Sequence, residues 1–362
     1  MNYEEKHKHD CEISDRFISR SNYEDSELDD LSIQDFCVLI NNAKYALNNH
    51  IFINGDERMK SLIEKFYSKL LYKVKNAESL YTIIDVNTSY PFIDSCSEDC
   101  IWIFSKEEYA LDAIEHYKKE YRNFSVLEIE NKNQLSLFHE IYLIGATGIF
   151  IDNGCASCIV KKEDLLEMPS YENTPMINIP ITNPKLMLAH LKMVQELKWP
   201  VNYEKREENL NNLEKGLCDA INNAKFLLPV KDMPKGIDGS GKFVLEKDEQ
   251  ISIPFLKGKD GANGLPVFTD WKQFRMVYND EKIGGLIVVY KELIEMVTRG
   301  DYSAIVMNVS RCPLEINNNT IKRLDEIMEK EDEKIESKEI VDSEGKEKEN
   351  ISMFSKLKRI FK

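Results

Sequence analysis

The chain has 362 residues, and its 63 acidic and 48 basic side chains give a formal net charge of −15 at pH 7. Such a charge repels nucleic-acid phosphates, so we expect no nucleic-acid partner. The hydrophobic fraction of 42% suits a protein of two ordinary domains, and neither a signal peptide nor a membrane-spanning run is apparent, which predicts a cytoplasmic protein.

The first 30 residues are polar and acidic, and we expect a disordered tail because they have little apolar surface to bury. Order is predicted from residue 31. Ser32 and Asp35 stand at the spacing of a capping box before an apolar run, which predicts the start of a helix. A second predicted helix carries an i, i+4 apolar stripe that must face a core, formed by Leu62, Phe66, Leu70 and Val74.

The same succession of patterns then occurs twice. Residues 101–105 and 265–269 are apolar runs that end in Ser105 and Thr269, hydroxyl residues that can cap the following helix. In both places a second strand-like run, a helix that stops at a glycine and a third strand-like run come next. The sequence therefore predicts an α+β fold of two tandem modules, residues 31–168 and 169–324, each with a mixed β-sheet and packed helices behind a leading helical pair.

Four of the eight cysteines form two pairs, Cys96 with Cys100 and Cys155 with Cys158. Four thiolates at such spacings can form a tetrahedral zinc site, so zinc is the alternative to the expectation that the protein holds no cofactor. The first pair precedes one predicted strand and the second pair follows another. If these strands are antiparallel neighbours, the pairs meet at one edge of the sheet, whereas parallel strands would place them at opposite ends. Our interpretation is four unconnected thiols, with the zinc site and a redox-active dithiol as the alternatives.

The end of the chain changes composition abruptly. Residues 325–350 are strongly acidic with little apolar material, which predicts a solvated linker. Residues 351–362 carry four basic side chains and no acidic one, and on a helix their apolar side chains share one side. This amphipathic segment is predicted to contact a partner groove, the anionic inner membrane surface or its own domain. The residues predicted to make this contact are Met353, Phe354, Lys356, Leu357, Lys358, Arg359, Ile360, Phe361 and Lys362.

The second module resembles the SseB-type domain of the bacterial enhanced serine sensitivity proteins over about residues 225–324. The residues that carry the resemblance are the strands at 226–230 and 265–269, Trp271, the helix at 291–299 and the closing run 304–308. Residues 80–165 resemble a degenerate copy of the same domain. The resemblance implies a small α+β domain with no established catalytic residues, associated with protein interaction or regulation.

The sequence also contains no local motif for a nucleophile, a phosphate loop, a dinucleotide or a metalloprotease zinc site. We therefore interpret the chain as a non-enzymatic, SseB-like protein that binds another protein, with weak peripheral contact to an anionic membrane through residues 351–362. Two alternatives remain at this point. One is a metal- or thiol-dependent enzyme or sensor at the four paired cysteines, and the other is a regulator that binds a small ligand between the modules.

Overall fold

The computed structural model describes residues 3–20, 23–168, 170–172, 174–175, 178–231, 252–258, 261–280, 282–299 and 302–327. Helices and two mixed sheets alternate along these residues, which confirms the predicted α+β class. The amino-terminal half (residues 3–168) and the carboxy-terminal half (residues 178–327) each contain one succession of the repeated pattern.

Most of the described residues before Ser32 are helical, which corrects the expectation of a disordered tail over residues 1–30 for that part of the range. They contain α1 (Tyr3–Ser14), a π-helical turn (Asp15–Ser19) and a 3-10 turn (Asp25–Leu28). Phe17, Ile18 and Leu28 are buried in the core that also contains the apolar stripe of the following helices. The few apolar residues of this segment find a surface that the rest of the domain provides, and composition alone does not reveal such a surface.

The helical pair of the amino-terminal half consists of α2 (Ile33–Asn48) and α3 (Asp56–Lys75). The predicted capping box is present at the start of α2, where Ser32 Oγ accepts from the Asp35 amide at 3.1 Å and an Asp35 carboxylate oxygen accepts from the Ser32 amide at 2.8 Å. The predicted stripe of α3 is buried in the core, where α3 packs against α2.

The first sheet has the strand order β5-β1-β4-β6-β7. Strand β1 is antiparallel to both β5 and β4, β4 is parallel to β6, and β6 is antiparallel to β7. The elements are β1 (Ser79–Asp85), β2 (Tyr90–Pro91), β3 (Ile93–Asp94), β4 (Cys100–Phe104), α4 (Glu107–Lys118), β5 (Phe124–Glu130), α5 (Asn131–Leu143), β6 (Gly148–Ile151), β7 (Cys158–Lys161) and α6 (Lys162–Leu165).

The carboxy-terminal half begins with its own helical pair. Its strands form a two-stranded part, β11-β8, and a four-stranded part, β13-β12-β10-β9, and the antiparallel bridge between Leu227 and Phe268 joins the two parts into what we call the second sheet. The elements are α7 (Pro184–Lys198), α8 (Arg206–Asn222), β8 (Lys225–Lys231), β9 (Leu256–Lys257), β10 (Asn263–Val267), α9 (Trp271–Val277), β11 (Ile283–Val289), α10 (Tyr290–Arg299), β12 (Ala304–Met307) and β13 (Leu314–Asn317). Strand β8 is antiparallel to β11, β10 is parallel to β12, and β12 is antiparallel to β13.

The pairings of the two sheets correspond residue by residue. Tyr81 is the antiparallel partner of Phe104 in the first sheet, and Leu227 is the antiparallel bridge partner of Phe268 in the second. The first residue of β1 pairs with the last residue of β5, as the first residue of β8 pairs with the last of β11. The apolar runs 101–105 and 265–269, which contain Phe104 and Phe268, therefore pair in corresponding ways in the two sheets.

A buried polar contact also recurs at the carboxyl end of the parallel strands. Asp152 is fully buried at φ +52°, and its carboxylate accepts from the Ser105 amide at 2.7 Å and from Ser105 Oγ at 2.8 Å. Asn308 is fully buried at φ +50°, accepts from the Thr269 amide at 3.1 Å and donates from Nδ2 to Thr269 Oγ1 at 2.9 Å. Burial raises the pKa of Asp152, whereas the amide of Asn308 makes the same contact without a charge.

Polar contacts join the two halves. The Arg311 guanidinium stacks 3.6 Å from the Tyr90 ring centroid and donates to the Ser89 carbonyl at 2.7 and 2.9 Å. Gln273 donates to the Tyr90 hydroxyl at 2.8 Å. Within the carboxy-terminal half, the buried His190 ring nitrogen Nε2 lies 2.9 Å from the Cys312 carbonyl oxygen, and burial lowers the pKa of this histidine.

Candidate functional sites

The four paired cysteines lie at two separate places in the first sheet. Because β4 and β6 are parallel, Cys100 at the start of β4 and Cys158, opposite Ile151 at the end of β6, lie at opposite ends of these strands. Three residues along a strand and two strand spacings separate them, about 10 Å in each direction. The structure thus does not bring the pairs together as the zinc site required.

The local surroundings of these thiols differ as well. Cys100 is buried with its sulfur 3.3 Å from Thr147 Oγ1, and burial raises its pKa. Cys158 is buried with its sulfur 3.8 Å from the Cys37 carbonyl, while Cys96 is exposed and Cys155 half-buried. Over the described ranges, no group of three or more His, Cys, Asp and Glu side chains is arranged to hold a metal ion.

The predicted amphipathic segment, residues 351–362, lies outside the described residues, as does the predicted linker after residue 327. The contact predicted for this segment therefore stays a prediction. In the part of the chain that the structure describes, no helix combines the length and the apolar character needed to cross a bilayer.

The outer strands of the two sheets differ in a way that matters for binding. Among the described residues, β5 pairs only with β1 and β11 pairs only with β8, so each strand leaves one edge uncovered by another strand. An uncovered edge presents backbone amides and carbonyls to which another strand can bind, and charged side chains normally protect such an edge. The two strands are topological equivalents, which makes their residues directly comparable.

Strand β5 carries two exposed glutamates, Glu128 and Glu130. By the register with β1 and β8, the equivalent positions of β11 are Ile287 and Val289, whose exposed fractions are 44% and 40%. Strand β11 contains no charged residue at all. The first sheet thus has the protective charges of an outer strand, and the second sheet has exposed apolar side chains in their place.

A groove of about 600 Å³ runs beside β11, and α10 forms its other wall. Leu286, Ile287 and Val288 form its apolar part. The charged side chains of α10 along it are Glu292, Glu295 and Arg299, and Arg299 lies 3.6 Å from a Glu295 carboxylate oxygen. Glu292 accepts from the Val289 amide at 2.9 Å, so the last amide of the strand already has an acceptor. The remainder of the strand, from Ile283 to Val288, is the part that another strand can pair with.

This edge was not among the sites expected from the sequence, although a signal was present. Residues 124–130 contain two glutamates, whereas residues 283–289 contain no charge. The signal has meaning only once both runs are known to be outer strands, and this knowledge comes from the pairing of β11 with β8 and of β5 with β1.

The described residues define an α+β protein with two similarly connected mixed sheets, the second with an uncharged outer strand. Residues 206–323 match the family described as the SseB protein N-terminal domain. This segment begins at the first residue of α8 and contains β8 to β13, so the resemblance predicted for residues 225–324 is confirmed there. Neither the comparison with curated proteins nor the comparison with solved structures gives a match.

Proposed function

We propose that this chain is a non-enzymatic cytoplasmic protein that acts by binding another protein through two SseB-like modules, residues 31–168 and 169–324. The first module is a diverged copy in this proposal. The support for the copy is the common order and direction of the strands and the recurrence of the Ser105–Asp152 contact as Thr269–Asn308.

The observation that carries the binding function is the uncharged outer strand β11. A partner adds an extended segment to this edge, and the backbone hydrogen bonds of the new strand pair supply the affinity. Alternate side chains of the partner strand then contact Ile287 on one face of the sheet and Leu286 on the other. Glu292 favours a basic side chain on the partner where it passes the start of α10, whereas Glu295 is already paired with Arg299.

The equivalent edge of the first sheet does not bind in this way. A strand that paired with β5 would have to pass Glu128 and Glu130, and these charges disfavour a neighbouring apolar strand. The proposal therefore assigns the binding to the second module, and it gives the first module a supporting role through its contacts with the second.

Selection from a random peptide library against the full chain tests this proposal. We expect selected peptides to alternate apolar residues and to contain a basic residue. The double variant Ile287→Glu, Val289→Glu, which gives β11 the charges of β5, should weaken their binding at least about tenfold. The control Leu127→Glu changes a residue of β5 with a similar exposed fraction, 45%, and should leave binding unchanged.

Thermal melting followed by circular dichroism establishes that the variants are folded. Because Ile287 and Val289 are partly exposed, their replacement should change the melting temperature little. The proposal is wrong if no alternating peptide binds the wild-type chain, or if such peptides bind the folded double variant as tightly as the wild type.

A further inference from the structure

A cleft of about 450 Å³ lies between the amino-terminal half and the helical pair of the carboxy-terminal half. One wall comes from the segment around β3 and the end of α4, and the other from α7 and α8. The volume falls within the range of small-molecule sites, which commonly form between domains. Aromatic side chains line both walls, among them Phe92, Tyr117 and Trp199.

Arg122 is the central polar group of this cleft. Its guanidinium carbon lies 3.8 Å from the Trp199 ring centroid and 5.5 Å from that of Phe92. One of its nitrogens donates to the Gln195 carbonyl at 3.2 Å. Within the described ranges no carboxylate oxygen comes within 4.0 Å of this guanidinium, and burial lowers its pKa, since the charge is partly removed from water.

Two other charged residues of the cleft already have ionic partners. Lys192 lies 2.6 Å from an Asp99 carboxylate oxygen. Glu196 lies 3.6 Å from the Arg206 guanidinium and also accepts from the Tyr203 hydroxyl at 3.2 Å. These pairs leave the guanidinium of Arg122 as the cation of the cleft that lacks a carboxylate.

Glu196, Asp85 and Glu120 attract the Arg122 charge, but in the described ranges none of their carboxylates forms an ion pair with it within 4.0 Å. Asp85 is buried and accepts from the Asn87 and Thr88 amides. The Asp94 carboxylate accepts from the Cys96 amide at 2.9 Å and from the Trp102 indole at 3.1 Å. Glu120 is exposed at the rim, where its carboxylate lies 4.0 Å from His116 Nε2. Arg122 therefore offers N–H donors to the cleft without a direct carboxylate partner, although Glu196, Asp85 and Glu120 already offset part of its charge.

We propose that this cleft binds a small aromatic carboxylate, whose carboxylate pairs with Arg122 and whose ring packs against Tyr117 and Trp199. A planar guanidinium can hold a carboxylate through two parallel hydrogen bonds, which an ammonium group cannot do. The aromatic walls supply stacking and apolar contact for the ring. The cleft and strand β11 share no residue, so this site is independent of the protein-binding edge.

Benzoate and its uncharged analogue benzamide are suitable probes for titration by calorimetry or ligand-observed NMR. We expect benzoate to bind with a Kd of about 1 mM, as fits a small fragment, and benzamide at least about tenfold more weakly. Arg122→Met should abolish the preference for benzoate, and Arg122→Lys should retain part of it. The control Arg275→Met removes another arginine that stacks on a tryptophan, outside the cleft, and should have no effect.

The wild-type chain offers a test that needs no substitution. Cys96 is exposed at the cleft and Cys11 is exposed in α1, away from it. Saturating benzoate should slow the alkylation of Cys96 by iodoacetamide several-fold and leave that of Cys11 unchanged, as peptide mass spectrometry measures. Equal binding of benzoate and benzamide, equal binding by wild type and folded Arg122→Met, or no protection of Cys96 would each overturn the proposal.

Discussion

The buried Asp152 contact gives a prediction whose size follows from the structure. In Asp152→Ala, the Ser105 amide and hydroxyl lose the acceptors that now lie 2.7 and 2.8 Å away. Hydrogen bonds to a charged acceptor contribute about 1.5–3 kcal/mol each, and less where water reaches the donor, as it does at the half-buried Ser105. The left-handed backbone at φ +52° costs alanine about 1–2 kcal/mol more than it costs aspartate or asparagine.

One effect acts in the opposite direction, because the variant no longer buries a carboxylate. Allowing for this gain, we expect the free energy of unfolding to fall by about 2–4 kcal/mol in Asp152→Ala. Asp152→Asn should behave differently. Asn308, at the equivalent position, keeps the contact with the hydroxyl residue Thr269 and has the same left-handed backbone. The free energy of unfolding of Asp152→Asn at pH 7 should therefore lie within about 1 kcal/mol of the wild-type value.

The two proteins should also differ in their pH dependence. Burial raises the pKa of Asp152 above its ordinary value of 3.8, so the folded state holds the proton more tightly than the unfolded state. This group's contribution to stability is therefore greatest below 3.8 and is lost as the pH rises through the folded pKa. Asparagine does not titrate, so the stability of Asp152→Asn relative to wild type should increase with pH over that window.

Urea denaturation followed by circular dichroism, from pH 4 to pH 8, measures these quantities. The other carboxylates titrate in both proteins, so the difference between the two curves isolates Asp152. The reasoning would be refuted if Asp152→Ala unfolded at the wild-type urea concentration. It would also be refuted if Asp152→Asn were as destabilised as the alanine variant.

Three further outcomes are expected. Burial lowers the pKa of His190 below its ordinary 6.5, so the stability of the wild-type protein should fall as the pH drops below 6.5. The Tm of His190→Gln should fall less over the same pH range, and parallel plots of Tm against pH for the two proteins would contradict this. Since the two cysteine pairs lie at opposite strand ends, the double variant Cys155→Ser, Cys158→Ser should have the same zinc content as the wild-type protein when both are measured by mass spectrometry. A loss of bound zinc in the variant would support the zinc-site hypothesis. The full chain should sediment with anionic vesicles at low salt, because the four basic side chains of residues 351–362 contribute about 1 kcal/mol each to binding. The double variant Phe354→Ser, Phe361→Ser should not sediment with them. A wild-type chain that stays in solution would exclude the membrane contact.

Local patterns in the sequence were sufficient for much of the architecture. The capping box at Ser32 and the apolar stripe of α3 depend on residues a few positions apart, and both are present as predicted. The places of Phe104 and Phe268 could be predicted in the same way, because the order of the surrounding elements recurs along the chain. Features of this kind can be predicted because residues close together in the sequence determine the conformation of a single helix or strand.

Other features depended on contacts between distant parts of the chain. The burial of Phe17 required a surface built by later helices, which its own polar segment does not indicate. The separation of the cysteine pairs followed from the parallel direction of β4 and β6, which no spacing in the sequence specifies. The cleft at Arg122 similarly needed Trp199 from the other half of the chain.

The sequence by itself thus determined the α+β class and local features such as the cap at Ser32 and the stripe of α3, since periodicity and capping act over a few residues. Only the tertiary structure decided that β11 is an outer strand, that the thiols are apart and that Arg122 faces a cleft. Strand direction, edge exposure and desolvation arise when segments far apart in sequence pack together, and their free energies belong to the assembled sheet and not to any one segment.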